Sequence, residues 1–177
     1  MIRINSLLLF IGLAWGQNDY NINQLIEQGG IYMEKFSDEI VNGNVYQMSD
    51  DIIIPLGKMK NGKKDGLWTE WYPNKRKLEE TYKHGMLDGF VSLFYKTGQR
   101  EWRHTYNNGQ FDGLWTYWYE DGHKMKEGSF ECGDSIGIWI WWDENGHVKK
   151  EKKYKKRENS VWANYNEYVL IEVVKVP

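Results

Sequence analysis

From residue 57 to residue 154 the chain repeats one pattern of glycine, aromatic and charged positions about every 24 residues. Gly66, Gly89, Gly113 and Gly137 lie 23, 24 and 24 residues apart, and each follows another glycine by four: Gly62, Gly85, Gly109 and Gly133. Two residues beyond each second glycine stand Trp68, Val91, Trp115 and Trp139, and five beyond it Trp71, Phe94, Trp118 and Trp142. Nine beyond it glycine returns at Gly98, Gly122 and Gly146; the first unit, one residue shorter, has Pro73-Asn74-Lys75 there. Each unit closes on an aromatic: Tyr82, Tyr106, Phe130 and Tyr154. Four units result, 57–82, 83–106, 107–130 and 131–154.

Each unit reads as a β-hairpin. Its aromatic first limb (67–72 in the first unit) is too short for a helix, and Asp121-Gly122 and Asn145-Gly146 are hairpin-turn dipeptides. The second limbs, 77–82, 100–106, 124–130 and 148–154, are polar. Gly-x-x-x-Gly then turns the chain into the next unit, because glycine takes the positive φ of tight turns. The predicted fold is all-β, an elongated antiparallel β-meander of four ~24-residue hairpin repeats. At ~4.8 Å per strand, about eight strands give a sheet on the order of 35–40 Å long.

Alternation along the first limbs assigns two faces. Leu67, Thr69 and Trp71, with Phe90, Ser92 and Phe94 and their equivalents, share one; Trp68, Glu70 and Tyr72, with Val91, Leu93 and Tyr95, share the other. Both are rich in rings, so each unit is expected to bury its aromatics mainly against its neighbours, as a solenoid does. The second face is then the expected landing place for a partner: Trp68, Tyr72, Tyr95, Trp115, Tyr119, Trp139 and Trp141.

The flanks read as caps. Residues 17–56 form an N-terminal cap with an expected short amphipathic helix at 21–28, carrying Ile22, Leu25 and Ile26 on one side. Irregular strands are expected at 31–36, 45–48 and 52–59, with Asn42-Gly43-Asn44 as a turn. Residues 155–177 form a C-terminal cap whose strand runs from 168 to 176.

Composition narrows the function classes. The 177 residues carry 23 Lys and Arg against 25 Asp and Glu, a balance that gives no electrostatic reason to seek nucleic acid. Residues 1–16 read as a signal peptide: Arg3, an apolar run from 4 to 13, then Ala14-Trp15-Gly16 before a cut at Gln17. No other run is long and apolar enough to span a membrane. The expected product is exported to the periplasm, cell envelope or medium, and not transmembrane. Cys132 is the only cysteine, which excludes an intramolecular disulfide.

Candidate chemistry is sparse. Glu79, Glu127 and Glu151 share one repeat position, held by Arg103 in the second unit, and read as cross-strand partners for lysine and arginine rather than as catalytic acids. His123 and His147 also share a position, just after the turn glycines, with no third metal ligand evident. We expect no enzyme activity, no metal and no cofactor. The strip Lys149, Lys150, Lys152, Lys153, Lys155, Lys156 and Arg157 is either a solvated last limb that discourages aggregation or a site for an anionic partner.

Where Gly-x-x-x-Gly, Trp-x-x-Trp-Tyr and the closing tyrosine recur together, the chain resembles the bacterial MORN-repeat variant proteins, over about residues 57–154. That resemblance implies hairpin repeats and, because many bacterial members are antitoxin components, an antitoxin-like inhibitor as one reading. Trp68, Val91, Trp115 and Trp139 replace the second glycine of the eukaryotic Gly-x-Gly, a departure that weakens carry-over of lipid-headgroup binding. The expected function is an exported, non-enzymatic interaction scaffold with a protein partner. The alternatives are a binder of polysaccharide or an anionic membrane surface, and the antitoxin-like inhibitor.

Overall fold

The computed structural model describes residues 18–156 and 168–174. The segment read as a signal peptide lies outside the described residues, as does Arg157. Among the described residues the chain is nearly all β, with no α-helix. It divides into two compact units, Met1–Lys63 and Lys64–Pro177. That division falls inside the first predicted repeat.

In the first unit, β1 (Asn18–Asn21) pairs parallel with β4 (Gly43–Ser49), and β4 pairs antiparallel with β5 (Ile52–Lys60). Between them lies a hairpin of β2 (Leu25–Gln28) and β3 (Ile31–Glu34). The helix expected at 21–28 is therefore corrected. Only a 3-10 turn forms at Ile22–Gln24, capped by Asn21, and the rest is strand. Eight residues are too few for an isolated helix, whereas Gly29 and Gly30, at φ 60° and 80°, make a two-residue hairpin turn. The turn expected at Asn42-Gly43-Asn44 is also replaced, since Gly43 and Asn44 already belong to β4. There they pair with Asn18 and Asp19, and the Asn44 amide donates to Asp19 Oδ1 at 2.9 Å. Tyr20, Leu25, Val41, Val45 and Met59 are buried in this unit. Gly62, at φ 69°, donates to the Val41 carbonyl and accepts from the Tyr32 amide, and no Cβ would fit there.

The second unit is a meander. Its strands are β6 (Lys63–Trp71), β7 (Lys77–Lys83), β8 (Met86–Phe94), β9 (Arg100–Asn107), β10 (Gln110–Phe111), β11 (Gly113–Trp118), β12 (Lys124–Glu131), β13 (Asp134–Trp142), β14 (Val148–Lys156) and β15 (Tyr168–Val174). Neighbours in sequence are neighbours in the sheet and run antiparallel, with the two-residue β10 extending the pairing to β9. The hairpin limbs thus fall where the repeat places them.

The two kinds of turn are resolved differently from the expectation. In Gly-x-x-x-Gly both glycines have positive φ, but the tight turn is made by the first and the residue before it: His84-Gly85, Asn108-Gly109 and Cys132-Gly133. The second glycine lies beyond the turn, opposite a closing aromatic: Gly66 with Tyr82, Gly89 with Tyr106, Gly113 with Phe130, Gly137 with Tyr154. At the other end, Asp121-Gly122 belongs to a three-residue loop. Gly122 donates to the Tyr119 carbonyl and the Tyr119 amide to the His123 carbonyl. Gly98 and Gly146 repeat this arrangement, and Lys75, at φ 65°, takes the glycine's place in the first unit.

The missing residue of the first unit is also accounted for. The β6–β7 register is continuous, but β8–β9, β11–β12 and β13–β14 each shift by a bulge beside Phe94, Trp118 and Trp142. Glu101, Met125 and Lys149 are the extra residues, absorbed without reversing the faces. A row of equivalent side chains therefore crosses the sheet unbroken, for example Trp68, Glu80, Val91, His104, Trp115, Gly128, Trp139 and Lys152.

Gly128 stands in that row between two tryptophans, and a Cβ there would overlap the Trp139 indole. Its φ is not in the left-handed region, so space alone requires glycine. Gly128→Ala should cost about 1–3 kcal/mol through overpacking. Urea unfolding of the full chain measures it, and an unchanged midpoint would show that the indole has room to move.

Candidate functional site

The register decides which face of the second unit is packed. The closing aromatics share parity with Trp68, so rings from both limbs meet on the Trp68 face. The second limbs put Thr81, Glu79 and Lys77 on the Leu67 face. On the Trp68 face His104 stacks on Trp102, centroids 4.1 Å apart, and on Trp115 across the strand pair at 3.6 Å. Phe111 meets Trp115 edge-on at 4.3 Å, Phe130 lies 4.5 Å from Trp115, and Trp139 meets Phe130 edge-on at 5.1 Å. Such pairs contribute roughly 0.5–1.5 kcal/mol each beyond the area they bury.

The residues expected to form a partner surface differ in burial. Of these, Trp68 and Trp139 are only 5% and 3% exposed, and Trp115 and Trp141 are half-buried in the ring stack. Tyr95 and Tyr119 tie one repeat to the next, donating to the carbonyls of Trp118 at 2.9 Å and Trp142 at 3.0 Å. Tyr72 is the most open of the set. Alternation tells which residues share a face but not which face is wet. The parity of the closing aromatic was the signal that would have told them apart.

The Leu67 face carries three rows. Leu67, Phe90, Leu114 and Ile138, the residues just after the second glycines, are 56%, 51%, 42% and 53% exposed. Thr81, Thr105, Ser129 and Lys153 stand opposite or between them. Thr81 and Thr105 donate to the carbonyls of Phe90 and Leu114, both at 2.9 Å, and fill the space a Cβ on Gly89 or Gly113 would need. In the middle row Ser92 and Thr116 are buried. Glu79 and Glu127 lie in this row too, but their partners sit on their own strands rather than across: Lys77 at 2.6 Å and Lys124 at 2.6 Å. Thr116 also donates to Glu127. The third row alternates cations and rings: Lys77 lies 4.3 Å from the Phe94 centroid, Arg100 5.5 Å from Phe94 and 5.6 Å from Trp118, and Lys124 5.8 Å from Trp142. Each such contact contributes on the order of 0.5–1 kcal/mol at an exposed site.

The basic strip is divided by alternation. Lys150 and Lys152 lie on the Trp68 face, whereas Lys153 pairs with Ile138 on the opposite face and Lys149 is a bulge residue. Lys155 is exposed, and of Lys156 only the backbone pairing with Tyr168 is described. His123 and His147 are exposed beside Asp121 and Asp143 of their own turns, at 3.2 and 3.5 Å. Amide donation from His123 and His147 holds both aspartates below the usual carboxylate range. Among the described residues no group of three or more His, Cys, Asp or Glu is placed to hold a metal, and no helix is long and apolar enough to cross a membrane. Cys132 is exposed in the turn between β12 and β13, at φ 51°.

Two clefts open at matching places two repeats apart. The first, about 440 Å³, is lined by Tyr72, Leu78, Leu93, Trp102 and residues of the 73–76 turn, and Arg76 there is ion-paired with Glu101. The second, about 310 Å³, is lined by Tyr119, Met125, Trp141, Trp142, Lys149 and Lys150. Leu93 and Trp102 of the first become Trp141 and Lys150 in the second. The sequence reading named Tyr72, Tyr119, Trp141, Lys149 and Lys150, which line these clefts, but not the clefts themselves, because they form between repeats.

The model of the MORN repeat variant family matches residues 64–84, 111–131 and 136–156, each a stretch that runs through a hairpin of the second unit or across its turns. The second unit thus carries repeats of the MORN variant kind at these three places. No curated protein matches it. Among solved structures it is similar to a protein of unknown function from Bacteroides fragilis, at 14% identity over 87% of this chain and 93% of that one, with a TM-score of 0.19.

His104 gives a pH test of the packed face. Burial, and then the charge of Lys126, lower its pKa from 6.5 to about 4. Above pH 6.5 the imidazole is neutral folded or unfolded, and stability does not depend on it. Between pH 6.5 and 4 the unfolded chain takes a proton that the folded one refuses, so stability falls with pH, by on the order of 3 kcal/mol in full. Unfolding midpoints measured from pH 7 to 4 should show this slope, and His104→Phe should remove it.

Proposed function

We propose that the protein is an exported, non-enzymatic binding module that engages a protein partner through the Leu67 face of its repeat sheet. The row of Leu67, Phe90, Leu114 and Ile138 carries this reading: one repeat position, four copies, each about half exposed. Large apolar side chains kept in register on a wet face mark an interaction surface, and the hydroxyls of Thr81, Thr105 and Ser129 between them supply the polar part of such a contact. The match to MORN variant repeats supports a binding module built by repetition. The repeat-wide glutamates support a structural role, since Glu79 and Glu127 are held by lysines. Export rests on the charged start, apolar run and small-residue site of residues 1–16.

Crosslinked capture from an envelope extract tests the surface. Replacing Leu67, Phe90, Leu114 and Ile138 together by Ser should lower partner retention at least tenfold, with each change costing about 0.5 kcal/mol or less in stability. Glu79→Gln, Glu127→Gln and Glu151→Gln should leave retention intact. Retention unaffected by the fourfold variant would exclude this face. Export is tested separately by N-terminal sequencing of the fractionated protein: a start at Gln17 is expected, and a cytoplasmic protein starting at Met1 would reject it.

A further inference from the structure

The lysines of the Trp68 face are gathered about one indole. In register, Lys126 of β12 and Lys150 of β14 stand on either side of Trp141 of β13, and Lys152 stands opposite Trp139. The Trp141 centroid is 5.4 Å from the Lys126 ammonium, 4.9 Å from Lys150 and 5.8 Å from Lys152. Lys126 also lies 4.6 Å from the Trp139 ring and 5.4 Å from Tyr117.

Among the described residues no ion pair balances the charge of this group; the pairs run Lys64–Glu80, Arg76–Glu101, Lys77–Glu79 and Lys124–Glu127, with two more within the histidine turns. Of the acids on the Trp68 face, Glu70 and Glu80 stand on β6 and β7, at the far end of the rows, Glu101 is paired with Arg76, and Asp143, two residues beyond Trp141, accepts from the Asn145 and His147 amides of its own turn. Opposite Lys152 on β15 the register places Val173, and Glu172 stands opposite Lys153. A half-buried ammonium without a counter-charge is costly, and Lys126 shows it: burial first, then Lys152 and Lys150, lower its pKa. Ring faces offset part of that cost, and an anion would offset more.

Next to these lysines is the second cleft, lined on this face by Trp141 and Tyr119 and edged by Lys149 and Lys150. Its volume, about 310 Å³, is at the low end of the roughly 300–1,000 Å³ of small-molecule sites. The cleft two repeats earlier has leucines and a paired arginine, so the anionic preference belongs to this end of the sheet. We propose that the β12–β14 end of the Trp68 face binds a carboxylated saccharide, with an aromatic wall against the sugar ring and Lys126 and Lys150 on the carboxylate. Aromatic side chains present a flat apolar face to sugar C–H groups, and ammonium groups hold carboxylates by charge-assisted hydrogen bonds. A flat bilayer would meet exposed lysines such as Lys149, Lys153 and Lys155, but not the half-buried Lys126.

Calorimetric titration of the full chain with tetragalacturonate, maltotetraose and phosphatidylglycerol vesicles tests this. Tetragalacturonate should bind and maltotetraose should not. Lys126→Gln and Lys150→Gln should each weaken the binding about tenfold or more, Trp141→Ala should do the same, and Lys153→Gln, on the opposite face, should leave it unchanged. Thermal unfolding of Lys126→Gln should be as high as that of the parent, since the change removes a poorly solvated charge. The fourfold serine variant of the Leu67 row should keep saccharide binding, which separates this site from the protein-binding face. Absence of tetragalacturonate binding, equal binding of maltotetraose, an equal loss in Lys153→Gln, or vesicle binding in place of saccharide binding would each overturn it.

Discussion

Register is the constraint on which the rest of the second unit depends. A strand has a side-chain period of two, so a slip of one residue anywhere would send every later ring to the wrong face. The chain prevents this with turns whose backbone admits few residues. His84-Gly85, Asn108-Gly109 and Cys132-Gly133 take a two-residue form, and Gly98, Gly122 and Gly146 close three-residue loops. Where a repeat gains a residue, a bulge at Glu101, Met125 or Lys149 absorbs it. The stacking of Trp102, His104 and Trp115 is a consequence of that bookkeeping along the strands.

Once register is fixed, each face acquires its own chemistry. The Trp68 face collects the rings of both limbs and becomes the packed side. Its cost is polar: His104 Nε2 and the indole nitrogens of Trp115 and Trp139 are buried without partners among the described residues. The Leu67 face alternates hydrophobic first-limb residues with hydroxyls and charges from the second limbs, and stays open to solvent. Its cation and ring row from Lys77 to Lys124 braces the sheet along that face. One repeat motif therefore makes both a core and a surface.

The hairpins, their limbs and the turn glycines were legible in the order of residues because they depend on local pattern. Asp121-Gly122 was read as a turn, although its three-residue form follows from the bonds between Tyr119 and His123. The wet face was not legible, since both faces of the first limbs carry rings and only pairing with Tyr82 or Phe130 distinguishes them. The helix expected at 21–28 failed because Gly29-Gly30 served a hairpin instead. The lysines around Trp141 were visible only as a basic run, and their gathering needed Lys126, which lies 24 residues before Lys150 in the chain and next to the same ring in space.

The exposed row from Leu67 to Ile138 has a metric consequence. Successive members stand on every second strand, so they are separated by roughly 10 Å, twice the interstrand distance. The surface is a ruler whose graduations are set by hydrogen bonding rather than by side-chain choice. Duplicating a repeat would lengthen the ruler by one division, and leave the spacing of the existing divisions untouched. A partner can thus be matched by counting, and evolution can adjust the span and the identity of each contact as separate quantities.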